Sequence, residues 1–506
     1  MGYAQVRSVA LLGVTGQVVV VEADLARGLP GLVVSGLPDA SLVESRDRVR
    51  AAIVNSGEEW PQQRMTVNLL PAHLPKHGSG FDLAVAASLL AAAGALPARP
   101  LEQAVLLGEL GLDGAVRPVR GVLPAVLAAV RAGVRHIVVP LGNAAEASLV
   151  PGVTVRATDS LGRLIAFLRG AGALLEPPAV PPDPPSVGAD LADVVGQDRG
   201  RRAIELAAAG GHHLALFGPP GAGKTMLAQR LPSVLPALDD AAALEVTAVH
   251  SIAGVLPPSS PLVRRPPYQA PHHTATMAAL VGGGSGLARP GALSLAHHGV
   301  LFLDEAPEFS ASVLDALRQP LEDGQVRLRR SGGETVYPAC VQLVLAANPC
   351  PCARPGGDQH CECSRLTRRR YLGRLSGPLM DRIDLQVTLR PVGAVALLGD
   401  ESEAEPSEQV AQRVAAARAA AAQRWASVGC RSNATVPGAL LRRAPWRLPR
   451  HTTRVLFDAL DQGRLSARGH DRVIKVAWTV ADLDGRSRPD ATDIAEALQL
   501  REGTAL

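Results

Sequence analysis

Gly218-Pro-Pro-Gly-Ala-Gly-Lys-Thr225 fits G-x-x-x-x-G-K-[ST], the phosphate-binding loop of nucleotide triphosphatases. The run His213-Leu-Ala-Leu-Phe-Gly218 leading into it is apolar and strand-like, and Met226-Leu-Ala-Gln-Arg-Leu231 after it can begin a helix. That strand–loop–helix order is the context the motif requires. Gly218, Gly221 and Gly223 allow backbone N–H groups to turn inward around a phosphate at the positive end of a helix dipole, with Pro219, Pro220 and Ala222 completing the loop. Lys224 can neutralise β- and γ-phosphates, and the Thr225 hydroxyl can ligate Mg²⁺.

Two further stretches extend this reading. Val300-Leu-Phe-Leu-Asp304-Glu305 is an apolar run ending in two carboxylates. A buried parallel strand has this form, with its acids at the C-terminal edge where α/β sheets bind ligands. Asp304 suits Mg²⁺, and Glu305 suits a base that orients and polarises the attacking water. The alternative is a strand followed by an acidic turn, with Glu308 close by. A third strand, Val341-Gln-Leu-Val-Leu-Ala-Ala347, ends at Asn348, whose amide can hold that water near the γ-phosphate.

The motifs imply an α/β fold, and composition fits a large soluble enzyme. The 506 residues are 47% hydrophobic, 19% charged and only 3% aromatic, and a chain of this length implies roughly two to four domains. A formal net charge of +4 is too small to mark the whole surface for nucleic acid, so any such contact must be local. Met1–Ala10 lacks the charged-then-apolar pattern of a leader. The Ala-rich run Leu83–Ala98 contains Gly94 and Pro97 and is short for a membrane span, so it reads as a core helix. A cytoplasmic protein with no membrane partner is expected.

Six prolines between Glu176 and Asp190 (Pro177, Pro178, Pro181, Pro182, Pro184, Pro185) read as a stiff, extended linker. The expected organisation is an N-terminal domain at 1–172, a linker at 173–189, an ATPase core at 190–392 and a helical lid at 393–506. The last begins after the acidic stretch Asp400–Glu408, with an Ala/Arg helix over Gln409–Trp425.

The three ATPase features, taken in order, resemble the AAA+ ATPases. Longer motifs narrow the resemblance to the ComM/YifB-type, magnesium-chelatase-like AAA+ proteins. They are Asp193-Val-Val-Gly-Gln197, Ala270-Pro-His-His273, Gly282-Gly-Gly284, Arg289-Pro-Gly291, Leu301-Phe-Leu-Asp-Glu-Ala-Pro-Glu-Phe309, Leu317-Arg-Gln-Pro-Leu-Glu-Asp-Gly324 and Asn348-Pro-Cys-Pro-Cys352. The resemblance spans nearly the whole chain and implies ATP as substrate, Mg²⁺ as cofactor and a hexameric ring. In its N-terminal part, Gly108–Pro140 and Pro75-Lys-His-Gly-Ser-Gly80 look like the Lon proteolytic domain, a ribosomal S5 domain 2-like α/β fold. Lon uses a Ser–Lys dyad. By this resemblance the nucleophile position falls on Gly80 and the lysine position on Leu123, so no peptidase is expected; Ser79 and Lys76 are displaced from the pattern.

Ser376-Gly-Pro-Leu-Met-Asp-Arg382-Ile-Asp-Leu385 resembles the segment that lends an arginine to a neighbouring subunit's site, which makes Arg382 the candidate. The alternative is a surface ion pair with Asp381 or Asp384. Leu465-Ser-Ala-Arg468 resembles the family's second sensor, with Arg468 contacting the γ-phosphate in cis or in trans.

Three segments lie outside ATP chemistry. Val326–Val336 alternates and turns at Gly332-Gly333, a β-hairpin. In related rings it faces the pore, where Arg327, Arg329 and Arg330 could grip phosphates without reading bases; ordinary surface arginines are the alternative. In the Gly-rich insert His272–Arg289, His272 and His273 could bind DNA or cap a helix. Cys350-Pro-Cys352 and Cys361-Glu-Cys363 could hold a structural Zn²⁺, with His360 as a substitute ligand, or stay free thiols. Beside them, Arg365 and Arg368-Arg-Arg370 with Tyr371 form a basic patch, either a nucleic-acid contact or an exposed helix face. The favoured function is an ATP-driven motor on single-stranded or branched DNA, a helicase or branch-migration factor in recombination and transformation. The alternative is a chelatase-type subunit remodelling a protein partner.

Overall fold

Strands Gly2–Leu12 and Thr15–Ala26 bury every second side chain over much of their length, Val19, Val21, Ala23 and Leu25 among them, which is the period of a strand with one covered face. They pair antiparallel around a turn at Gly13, where φ is +60°. The computed structural model describes residues 2–179, 188–257, 260–284, 288–330, 333–354, 361–391 and 404–503. The N-terminal domain is a seven-stranded sheet in the order Gly31–Ser35, Arg64–Leu70, Thr15–Ala26, Gly2–Leu12, Ala104–Leu106, His136–Pro140, Thr154–Thr158. Helix Asp82–Ala92 is buried along its entire length, so the Ala-rich run is core. It stops before Gly94, which has φ +78°. No helix among the described residues is long and apolar enough to cross a membrane.

The chain stays bound to this sheet as far as Leu175, which exchanges two 2.8 Å backbone bonds with Ala157. The centre of the proline linker lies outside the described residues. The ATPase core follows, a wholly parallel five-stranded sheet in the order Tyr268–Gln269, Val300–Leu303, Gln342–Ala347, Leu214–Phe217, Leu385–Thr388. Its central strands are buried on both faces, as their unbroken apolar runs require. The C-terminal helices Ser407–Trp425, Ala467–Leu483 and Ala491–Glu502 do not form a separate core. Val410, Val414, Trp425, Val473 and Trp478 share one apolar cluster with Leu214, Leu216, Val300 and Phe302. In Ser407–Trp425 the inward residues Val410, Val414, Ala417, Ala421 and Trp425 recur at helical spacing.

The N-terminal domain docks on the core. Helix Asp240–Ala253 sends Ala248 into the cluster that holds Val122, Val126 and Ala129. Ser251 donates its hydroxyl to the buried carboxylate of Glu146, and the Gly121 N–H donates to Ser251 O at 3.3 Å. Burial raises Glu146 above the ordinary carboxylate range, against the bonds from Ser251, Leu123 and Asn143.

Candidate nucleotide site

The phosphate loop leaves strand Leu214–Phe217 and enters helix Lys224–Val234. Gly221 and Gly223 take positive φ (76° and 84°), which glycine adopts without a Cβ clash, and a Cβ added at either would meet nothing within 4 Å. At these two positions the loop faces open space. Lys224 is buried beside it, and its ammonium donates to Gly218 O (2.6 Å), Pro219 O (3.0 Å) and Asn348 Oδ1 (2.9 Å). All three donors are satisfied by neutral acceptors. Desolvation lowers its pKa, against the pull of Asp304 and Glu305. An anion entering the loop would relieve that desolvated charge.

Asp304 and Glu305 follow strand Val300–Leu303 at the C-terminal edge of the sheet. Thr225 donates its hydroxyl to Asp304 Oδ2 at 2.7 Å, the pair of oxygens that would hold Mg²⁺. Glu305 sits in the left-handed region at φ 48°, unusual for a non-glycine residue, and its N–H donates to Asp304 Oδ1 at 2.9 Å. Its Oε2 lies 3.2 Å from His273 Nδ1. Loop, Asp304, Glu305 and Asn348 thus converge at one sheet edge, the usual ligand crevice of an open parallel sheet. Gln197 closes the Asp193-Val-Val-Gly-Gln197 motif. Its amide donates to Ala222 O (2.9 Å) and Arg390 O (2.7 Å), tying the loop to the end of the outer strand.

Arg382 and Arg468 lie elsewhere. They line one cavity of about 220 Å³ with Arg472, Lys475, Glu322, Asp381 and Asp471, and no phosphate-loop residue lines it. Arg382 is buried, donates to Arg318 O at 3.1 Å and to Pro378 O, and pairs with Glu322. Burial lowers its pKa, partly offset by Glu322. The expected alternative, an ion pair with Asp381 or Asp384, is not formed. Asp384 is buried under Arg472 and His212, which hold it well below the carboxylate range despite desolvation, and Asp381 lies nearest Arg501. Arg468 is exposed in the first turn of Ala467–Leu483, capped by Ser466.

In the hairpin, strand Gln325–Arg330 pairs antiparallel with Gly333–Pro338, and Gly333 opposes Arg330 as a strand residue rather than a turn residue. The intervening residues are outside those described. Arg327, Arg329 and Arg330 are all exposed; alternation puts the first two on one face and Arg330 on the other. Arg329 pairs with Glu334 at 3.2 Å. His272 and His273 cap no helix. His272 Nδ1 meets Thr274 Oγ1 at 2.8 Å, and Thr276 caps the short helix Met277–Leu280.

The four cysteines Cys350, Cys352, Cys361 and Cys363 bring their sulfurs within 4.8 Å of one another, with no disulfide formed. Neighbouring separations are 3.1, 3.3 and 3.6 Å. Tetrahedral Zn–S bonds of about 2.3 Å would place sulfurs roughly 3.8 Å apart, somewhat wider than these separations, and four thiols are a donor set of the kind that ion takes. His360 lies outside the described residues. In the adjoining helix Arg365–Leu372, Tyr371 is buried. The basic patch is therefore arginine alone, because helical periodicity turns the ring inward.

Around the positions that the Lon resemblance marks, Ser79 and Lys76 do not pair with each other. Leu123 is buried, and Gly80 offers only backbone. Lys76 is fully buried, with its ammonium on Gly36 O (2.9 Å), Leu69 O (2.8 Å) and Pro71 O, which uses all its donors. Ser79 donates instead to Glu109.

A parallel sheet bearing a phosphate loop, an acid pair and an asparagine at one edge, continued by a helical region, defines an AAA+ ATPase. The chain belongs to the magnesium-chelatase-like AAA+ family of ComM/YifB type. The family description "magnesium chelatase, subunit ChlI" matches residues 190–397, "subunit ChlI of Mg-chelatase" matches 21–143, and "subunit ChlI C-terminal" matches 404–501. An uncharacterised protein of Mycobacterium tuberculosis is 56% identical over 99% of both chains. YifB of Salmonella typhimurium is 42% identical, covering 99% of this chain and 97% of its own. Competence protein ComM of Haemophilus influenzae is 41% identical, covering 99% and 98%. Membership in this family implies ATPase activity with ATP and Mg²⁺.

Proposed function

We propose that this chain is an ATP-driven motor on DNA, a hexameric ring that acts as a helicase or branch-migration factor in recombination and transformation, in the cytoplasm. The observation that carries the reading is the arginine hairpin. It is inserted between the acid strand and the Asn348 strand, serves no step of ATP hydrolysis, and presents Arg327, Arg329 and Arg330 to solvent. Exposed guanidinium groups on a strand pair suit a phosphate backbone and carry no base readout. The printed name of the Haemophilus relative, a competence protein, supports the same direction.

Lys224 and the loop N–H groups would cradle the β- and γ-phosphates, with Mg²⁺ held between Thr225 and Asp304. Asn348 would position the attacking water and Glu305 would take its proton. The charge developing on the transferred phosphoryl group would be met by Arg382 and Arg468 of a neighbouring subunit. That trans assignment is supported by their shared cavity, lined by no phosphate-loop residue. Zn²⁺ on Cys350, Cys352, Cys361 and Cys363 would be structural, four ligands leaving no open position. It would brace the chain between Asn348 and helix Arg365–Leu372.

The family description keeps a second reading alive, a chelatase-type subunit remodelling a protein partner. ATP hydrolysis measured with single-stranded, forked and four-way DNA separates the two. Stimulation by at least one DNA form is expected; a rate indifferent to all of them, with no binding at low salt, favours the remodelling reading.

A further inference from the structure

One polar atom on the acid strand's neighbour takes part in no bond. The Tyr268 hydroxyl is buried, and among the described residues it has no hydrogen-bond partner. A buried hydroxyl without a partner costs stability, and a phenylalanine would fill the same space without that cost. Such an orphan calls for an explanation, and a water or ion that completes it is one.

The sheet sets the direction of this side chain. Strand Tyr268–Gln269 runs parallel to Val300–Leu303, with Tyr268 opposite Val300. The ring nonetheless stacks on Phe302, with centroids 6.2 Å apart and 25° between planes. It therefore leans along the strand, toward the edge where Asp304 follows. Val300 and Phe302 face the apolar cluster that holds Leu227 and Leu231 of helix Lys224–Val234, and Tyr268 packs on that cluster, whereas Leu301 and Leu303 face the other one. Asp304 continues the alternation of Val300 and Phe302. On that face it accepts from Thr225, in the first turn of the same helix. Burial raises the pKa of Tyr268, and the Asp304 carboxylate adds in the same direction. Tyr268, Asp304 and Thr225 thus share one face of the sheet at its ligand edge.

We propose that Tyr268 is a positioning residue for Mg²⁺, its hydroxyl bonding a water of the ion's shell beside Asp304. Mg²⁺ dehydrates reluctantly and keeps several waters, so protein groups that never touch the ion can order its shell. Thr225 and Asp304 supply two oxygens, and a phenol can both accept from and donate to shell waters. The role rests on the assignment of Mg²⁺ to Thr225 and Asp304, and it is independent of what the motor acts on.

Wild type and Tyr268→Phe, which deletes only the hydroxyl, test it. The readouts are the melting temperature without ligand and the affinity for a fluorescent non-hydrolysable ATP analogue, measured in EDTA and in excess Mg²⁺. The melting temperature of Tyr268→Phe should equal or exceed that of wild type, because the lost group has no partner at rest. Affinity in EDTA should not change. The gain in affinity that Mg²⁺ confers should fall about two- to ten-fold, the worth of one ordinary hydrogen bond. An unchanged Mg²⁺-dependent gain overturns the role. A lower melting temperature also overturns it, since the hydroxyl then has a structural partner. An equal loss of affinity in EDTA and in Mg²⁺ overturns it as well, since the hydroxyl then serves the nucleotide rather than the ion. If Mg²⁺ confers no gain on wild type, the assignment to Thr225 and Asp304 fails and the role of Tyr268 fails with it; ATP hydrolysis by the same preparation then decides whether the ATPase reading stands.

Discussion

Asn348→Ala should move binding and turnover in opposite directions. At rest the buried Lys224 ammonium has three acceptors, and Asn348 Oδ1 at 2.9 Å is the only side chain among them. Removing it leaves one N–H of a desolvated cation unpaired, where hydrogen bonds to charged groups contribute about 1.5–3 kcal/mol. Lys224 keeps two carbonyl partners and a shortened side chain admits water, so the lower bound applies. The resting state rises by about 1.5 kcal/mol, and ATP phosphates that re-pair the lysine should bind roughly ten-fold more tightly. Turnover loses the amide that holds the attacking water, and one such preorganised group is worth roughly a hundred-fold or more in kcat. The assay is equilibrium binding of a fluorescent ATP analogue together with steady-state kcat on the same preparation. Weaker nucleotide binding with kcat unchanged would refute both the resting tether and the catalytic role of Asn348.

Other expectations follow from the same geometry. Lys224→Ala should lose nucleotide binding, whereas Glu305→Gln should bind ATP and stall; wild-type turnover in Glu305→Gln would remove the proposed base. Mixing Arg382→Ala with Lys224→Ala subunits should restore part of the activity at interfaces that combine an intact loop with an intact arginine, and confirmed mixed rings with no recovery would count against the trans assignment. Metal analysis should find near one zinc per chain, with chelation lowering the melting temperature but leaving Lys224, Asp304 and Glu305 in place. A metal-free protein with four alkylatable thiols and an unchanged melting temperature would discard the zinc.

The ATP site was legible because each of its parts is local. The loop, the acid-ended strand and the strand before Asn348 each announce themselves within a few consecutive residues, and parallel-sheet topology brings their ends together. What stayed hidden depends on contacts far apart in sequence. Glu322 as the partner of Arg382, the link from Gln197 to Arg390, and the approach of His273 to Glu305 have no local pattern to betray them. The helical region reads as a separate lid because it follows the acidic stretch Asp400–Glu408 and is the right size for one. The buried faces of its helices complete the ATPase core's own apolar cluster, and no property of one helix specifies what covers it. Tyr371 shows the opposite failure: a cluster of arginines drew attention to the surface, although helical spacing turned the ring inward.

Strand separation by the purified protein tests the central claim most directly. Labelled forked and four-way DNA would be incubated with wild type and with a triple alanine variant at Arg327, Arg329 and Arg330, with and without ATP. The account predicts ATP-dependent strand movement by wild type. The triple variant should lose that movement while keeping DNA-free ATP hydrolysis and ring formation, and its DNA binding should depend less steeply on salt because fewer counterions are released. Wild-type strand movement and affinity in the triple variant would contradict the role of the hairpin, and a wild-type protein that hydrolyses ATP but neither binds nor moves DNA at low salt would contradict the motor itself.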